Sequence, residues 1–572
     1  MEQRRFLLAM ILSGLVIFVW QIFFVPPIEE EPIGEEIDEV TVEEEVELEE
    51  EELVEEAPDA IEEPEELVQP DQEIDEDIPE IEIRTDFMRT GELDIELSNQ
   101  GAVVSDVRVT SPRQYSGIGG ELMRAFEEDA PQWPYSLSFE DGNIDFDPEH
   151  PFEVIEEESI RAADGESYNK IFYRYTDPRG NFAVDKVYTV DEQRSYGLRL
   201  DVEVHNLLEP GGVRLAATPY LHIIGRDDPD KEDNFFDFRP DVLEGVCHTT
   251  DDTERTVFDN LENSETYSDY SVRWAGADTR YFIMAAAPVD PAVSCRFDSA
   301  GRDYLRVSIE HDSFSIEPAQ SWSMTHLLYM GPKDFDVLRN FDAPGDTNYE
   351  LQESVDYGLF TVLARPLRWS LVRLYNFTLN WGLAIILLTF IIKAITWPIT
   401  GKAYTSAERM KQIQPLIKEI REKYENDQQR MTEETMKAFR ENNVSPLGCL
   451  PLLLQMPILY GLFVMIYNSV ELYQAEFLWY TDLSAPDPYF ILPIVMGSVM
   501  FVQQRITMST AATTNPQMKI VMKVMPVAFT AFMLFLPAGL VLYYLLNLAM
   551  GLGQQFLIKR KFRLAEEAGE SV

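Results

Sequence analysis

A lone lysine, Lys393, interrupts the apolar stretch WGLAIILLTFIIKAITWPI at 381–399, which is long enough to cross a bilayer. A charge at such a depth costs at least about 2.5 kcal/mol on insertion scales, which marks it as a functional-site candidate. Thr389, four residues earlier, shares its helix face. Other apolar stretches carry polar groups away from their ends: Gln455, then Tyr543, Tyr544 and Asn547. Together these residues offer a cationic, hydrogen-bonding pocket inside the membrane. They do not offer a pump-type proton relay, because no apolar stretch carries a carboxylate. Nor is there a phosphate-binding loop for ATP-driven transport. Plainer roles compete at each position. Lys393 lies about six residues, roughly 9 Å, from the inner end of its stretch and can snorkel outward. The tyrosines can sit in the interfacial belt, and Gln455 can make an interhelical hydrogen bond.

The elements that must hold these residues are unevenly charged. The chain has 572 residues and a formal net charge of −55. Residues 1–25 carry two arginines and one glutamate, and 357–572 carry 20 basic and 15 acidic side chains. The middle, 26–356, is left with 24 basic and 85 acidic ones. An exported region so acidic fits a salty outside medium, where screening makes the charge tolerable. Three cysteines cannot build a disulfide framework, and free or buried thiols are the favoured state for Cys247 and Cys295, although the two could pair.

In chain order, 1–27 reads as an uncleaved transmembrane anchor behind Arg4 and Arg5, and 28–82, with 29 acids and no base, as an extended acidic linker. From 83 to 345, period-2 runs separated by turns predict a large antiparallel β-sandwich. Its histidines lack metal-ligand spacing, and no nucleophile elbow or HExxH motif is present, so no metal, cofactor or catalytic residue is expected. Residues 351–377 predict an interfacial amphipathic helix with Arg365, Arg368 and Arg373 on its polar side, kinked or divided at Pro366. A helical core at 378–558 follows, with spans near 380–399, 448–470, 489–504, 520–536 and 538–558. Between the first two, 400–444 predicts a hairpin of two polar helices, interrupted at Pro415 and at 425–427. A tail at 559–572, basic and then acidic, ends the chain. Basic clusters fall on alternate sides, which predicts six crossings with both termini in the cytoplasm.

Five segments, WGLAIILLTFIIKAITWPIT, KAYTSAERMKQIQPLIKEIREKY, SPLGCLPLLLQMPILYGLF, DPYFILPIVMG and PAGLVLYYLLN, together resemble the YidC membrane-protein insertases of Gram-negative bacteria. Weaker similarity continues through TDFMRTGELDIELSNQGA, WAGADTRYFIMAAA and LLYMGPKDFDVLR. The resemblance implies an α-helical polytopic inner-membrane protein with six transmembrane helices, five of them an insertase core. It also implies a periplasmic all-β supersandwich similar to sugar-mutarotase folds, without catalysis. Lys393 takes the place of the groove charge, where these proteins usually carry arginine; lysine keeps the charge and loses the bidentate fork. Thr389 and Tyr544 map onto groove positions near an entering peptide, with Gln455 and Asn547 in the same polar set. Met456 and Phe532 map onto an apolar slide formed by the third and fifth spans. The implied partners are nascent membrane proteins, the Sec translocon (SecYEG and SecDF), the ribosome, the signal-recognition machinery and the lipid bilayer. No enzyme activity, nucleotide or cofactor is implied. The competing function is a small-molecule or ion transporter that uses Lys393 as counter-ion to its substrate.

Overall fold

The computed structural model describes residues 81–568, apart from 111–131, 163–164, 192–193, 228–241, 262–263, 268–270, 291, 342–348, 426, 443, 445–449 and 509–515. The expected anchor at 1–27, and the acidic linker up to residue 80, lie outside the described residues.

From Thr85 to Pro332 the chain forms strands that join into one hydrogen-bonded network. Side-chain alternation sets the layers. In the strand Leu93–Ser98, Leu93, Ile95 and Leu97 are buried while their neighbours are half-exposed, the period-2 signature of a one-faced strand. One layer runs by antiparallel pairing through Glu153–Ala162, Gly165–Thr176, Phe182–Val190, Gly197–Asn206, Ser321–Pro332 and Phe282–Pro288. The other runs through Ser136–Glu140, Leu215–Arg226, Tyr304–His311 and Ala292–Ser299. Their apolar faces meet in a β-sandwich core around Trp274, Tyr173, Tyr188 and Phe297. The buried tyrosines find acceptors: Tyr188 donates to the Ala102 carbonyl at 2.8 Å and Tyr173 to Asp86 at 2.7 Å.

Cys247 and Cys295 are joined in a disulfide, against the expectation of free thiols. The two lie in the strands Glu244–Thr249 and Ala292–Ser299, both fully buried, with Cα atoms 6.4 Å apart. That separation is within bridging reach, and such a bond fits the exported domain that the charge pattern predicts.

The core also holds a buried lysine. Lys186 is fully buried and donates to the carbonyls of Tyr135 at 2.8 Å and Gly101 at 3.2 Å, with no carboxylate among its hydrogen-bond partners in the described residues. Burial lowers its pKa from 10.5 to about 7. Between those values the unfolded chain binds a proton that the folded one does not, so this group makes folding more favourable as pH rises. Replacing Lys186 with methionine should remove a rise of about 1.4 kcal/mol per pH unit in that window. Urea midpoints of parent and variant at pH 7, 8 and 9 measure it, and parallel profiles would refute it.

Eight helices follow among the described residues. They are α1 (Phe335–Phe341), α2 (Thr361–Thr378), α3 (Trp381–Lys423), α4 (Gln428–Glu441), α5 (Leu450–Tyr467), α6 (Ile491–Met508), α7 (Pro516–Met533) and α8 (Ala538–Ala568). Two of them, over Trp381–Lys423 and Ala538–Leu564, are long and apolar enough to cross a membrane, and Gln455–Tyr467 and Val524–Met533 are shorter apolar runs. The start of α3 is fixed by Asn380, whose side chain accepts from the Leu383 amide at 3.0 Å, an N-cap. Gly382 lets the Phe477 ring approach so closely that an added Cβ would sit 2.1 Å from it.

Three local expectations change. Residues 351–360 are two short 3₁₀ turns, at Leu351–Ser354 and Gly358–Phe360, and the regular helix begins only at Thr361. Of the two effects expected at Pro366, a kink or a division, the division does not occur: the residue lies inside the continuous α2. The carbonyl that loses its partner belongs to Val362, on an exposed face where water can serve it. Likewise α3 runs unbroken through Pro398 and Pro415, so the first helix of the expected hairpin continues the apolar span; it ends at Lys423, and the next helix begins at Gln428. A proline costs one hydrogen bond, and the long helix on either side of each makes the rest.

A polar seam around Lys393

Helix α3 packs against α2 and α8, and α6 packs against α7 and α8. Helix α5 packs on α2 and only lightly on α3 and α8. Among the described residues α5 and α7 make no extended contact.

Lys393 points into the α3–α8 contact and is only 4% exposed. Its ammonium donates to the side-chain carbonyl of Asn547 at 3.4 Å, and no carboxylate lies within ion-pair distance among the described residues. Gly551 stands beside it, where a Cβ would come within 3.4 Å of the ammonium. Two turns further along, the Thr400 hydroxyl donates to Gln554 at 3.0 Å, and the Gln554 amide donates to the Trp397 carbonyl at 3.0 Å. Asn547, Gly551 and Gln554 therefore form one face of α8, at the i, i+4, i+7 spacing of a helix surface. Both side-chain pairs, Lys393–Asn547 and Thr400–Gln554, span 154 residues. A constant offset means that α3 and α8 run parallel and in register.

The other sequence-picked residues scatter around this seam. Thr389 is buried one turn before Lys393 and donates to the Ile385 carbonyl at 2.7 Å, so its hydroxyl is occupied within its own helix. Tyr544 is half-buried against Phe529, ring centroids 5.1 Å apart, and Phe529 in turn neighbours Phe532 at 6.5 Å. This aromatic chain links the seam to α7. Met456 and Phe532 are 54% and 43% exposed, large apolar groups not covered by their own helices' neighbours. Gln455 is half-buried on α5, and no hydrogen bond among the described residues ties it to the Lys393–Asn547 pair. The structure thus joins Lys393 with Asn547, sets Thr389 and Tyr544 nearby, and leaves Gln455 and Met456 on a separate helix. Thr400 and Gln554 were not singled out from sequence, although their spacing of seven from Lys393 and Asn547 was there to be found.

A second buried charge lies at the other end of the helices. Arg368 is not on an exposed polar face: it is 7% exposed, and its guanidinium donates through two nitrogens to Glu471, itself 4% exposed. Its Nη2 also reaches Asp334 at 3.4 Å, and its guanidinium carbon lies 5.1 Å from the centre of the Phe335 ring. Burial alone would lower the Arg368 pKa, but Glu471, Tyr357, Asp334 and Asp336 hold it above its usual value. Burial pushes the Glu471 carboxyl up while Arg368 pulls it back. Nearby, Arg280 donates to the Tyr467 carbonyl at 2.8 Å and lies 3.6 Å from the centre of the Tyr467 ring, and Tyr281 packs on Tyr473 at 4.7 Å. These contacts join the end of the β-sandwich to α2 and to the end of α5.

Comparison with known proteins fits this two-part build. The model of the 60Kd inner membrane protein family matches residues 373–566, and that of the YidC periplasmic domain matches 85–370. The membrane protein insertase YidC of Syntrophus aciditrophicus is 30% identical over 570 residues, 98% of this chain and 99% of that protein. The YidC of Geobacter metallireducens is 32% identical over 474 residues, 82% of this chain and 84% of that one. A crystal structure of an active YidC insertase aligns over 83% of this chain and 92% of its own, at 17% identity and a TM-score of 0.35.

Proposed function

Because the chain belongs to the YidC family of membrane protein insertases, we propose that it moves apolar segments of nascent inner-membrane proteins into the bilayer through a hydrophilic groove floored by Lys393. Membership makes it an inner-membrane protein with a periplasmic β-sandwich, whose substrates are nascent membrane proteins and whose medium is lipid. The finer reading has six crossings with both termini in the cytoplasm, and the parallel course of α3 and α8 supports it. On that topology the 400–444 hairpin faces arriving chains, with SecYEG, SecDF, the ribosome and the signal-recognition machinery as partners. The acidic outer surface suits a salty exterior.

The observation that carries the proposal is a buried ammonium matched to a neutral amide. An internal carboxylate would cancel its field; Asn547 satisfies one N–H and leaves the charge for an incoming acidic segment. Thr389, Tyr544, Asn547 and Gln455 supply polar contacts on the way in. The apolar part of the substrate passes along Met456 and Phe532 into lipid, and transfer worth about 0.8 kcal/mol per CH₂ drives its release without nucleotide.

Reconstitution tests this. Liposomes holding the purified full-length chain should insert a small membrane protein without nucleotide, with photo-crosslinkers at Met456 and Phe532 capturing its apolar segment and one at Thr389 its polar leader. Insertion no better than in empty liposomes would overturn the function. Normal insertion without those crosslinks would overturn the route.

A further inference from the structure

The seam has a second neighbour. Where the apolar run of α8 ends, a cavity of about 940 Å³ opens between α8 and the extension of α3. Its rim carries Lys559, Arg560 and Arg563. Its wall is apolar, built by Leu552, Phe556 and Phe562. On the α3 side, Lys411 is neutralised by its own Glu408, and on α8 Arg563 pairs with Glu567 at 3.7 Å, whereas Lys559 and Arg560 have no ion pair among the described residues. The cavity therefore keeps a net positive rim over an apolar wall. Phe556 and Leu557, just before the basic run, are mostly exposed, as side chains facing lipid at the membrane boundary would be.

We propose that this cavity binds the headgroup and first acyl methylenes of one anionic phospholipid. The chemistry selects that occupant. A free phosphate would use the cationic rim and leave the apolar wall wet. A nucleic acid would use the rim alone, and a zwitterionic lipid brings no net charge to it. Only an anionic amphiphile meets both surfaces, and each basic side chain near an anionic lipid surface adds to its attraction. From the function proposed above, this takes only that α8 spans the bilayer. Lipid retention by the purified protein is independent of insertion activity, so either idea can fail alone.

The test uses the full-length chain, purified in detergent and then offered phosphatidylglycerol, phosphatidylcholine or sodium phosphate, with bound species read by native mass spectrometry. One phosphatidylglycerol per chain is expected to be held, with phosphatidylcholine held far more weakly. A K559Q/R560Q variant should hold phosphatidylglycerol about thirty-fold less tightly, from two such attractions. The charge-keeping K559R/R560K variant should match the parent, which separates lost charge from lost folding. Equal retention by parent and glutamine variant, equal retention of the two lipids, or displacement of phosphatidylglycerol by millimolar phosphate or an RNA oligonucleotide would each overturn the assignment.

Discussion

Replacing Lys393 with glutamate should slow insertion of substrates with acidic external segments by roughly thirty- to a thousand-fold. A like charge 4 to 8 Å away, at an effective dielectric near 20, costs about 2–4 kcal/mol, and each 1.4 kcal/mol is tenfold. The fold should survive, because Asn547 can present its amide N–H₂ to the new carboxylate as it now presents its carbonyl to the ammonium. Lys393→Arg keeps the charge and should insert at the parent rate. Substrates with neutral external segments should be slowed much less, which separates a field effect from a damaged groove. The measurement is protease protection of two matched substrates in vesicles carrying each variant. Parent-like insertion of the acidic substrate by Lys393→Glu would remove the charge from the mechanism.

Arg368→Met should destabilise the chain by about 3–5 kcal/mol, because it strands a buried carboxylate without its partner. Glu471 would then be left among groups that cannot solvate it, and the tie to Asp334 at the end of the β-sandwich would go with it. A double variant, Arg368→Met with Glu471→Leu, removes both charges and should recover most of the loss. The pH dependence has a definite sign. Burial already raises the Glu471 carboxyl, and losing Arg368 removes the influence that pulls it down. Its folded pKa then lies above its unfolded one, so the deficit is largest at neutral pH and shrinks as pH falls toward the unfolded value. Thermal unfolding of parent, single and double variants in detergent at pH 5 and pH 7.5 measures this. A single variant that melts with the parent would show that the pair does not brace the joint.

Both sites show how far local pattern reaches. The span at 381–399, its lysine and the β-alternation before it are properties of neighbouring residues, so they can be read along the chain. Arg368 was assigned to an exposed polar side because helical periodicity sees only its own helix. Its true surroundings come from Glu471, in the 3₁₀ turn Val470–Leu472, 103 positions away. Pro415 looked like a break because proline always loses one hydrogen bond, yet whether a helix continues depends on the rest of its bonds. The Cys247–Cys295 bond was one of two open outcomes until strand pairing set the distance.

The two-part build, the apolar run that holds Lys393 and the kinship with membrane insertases are thus legible along the chain, because apolar runs and charge placement are local properties of neighbouring residues. What Lys393 faces depends on how distant helices pack. A parallel register of α3 and α8, 154 residues apart, gave it a neutral amide instead of a carboxylate, and that match is a matter of packing that no single helix encodes.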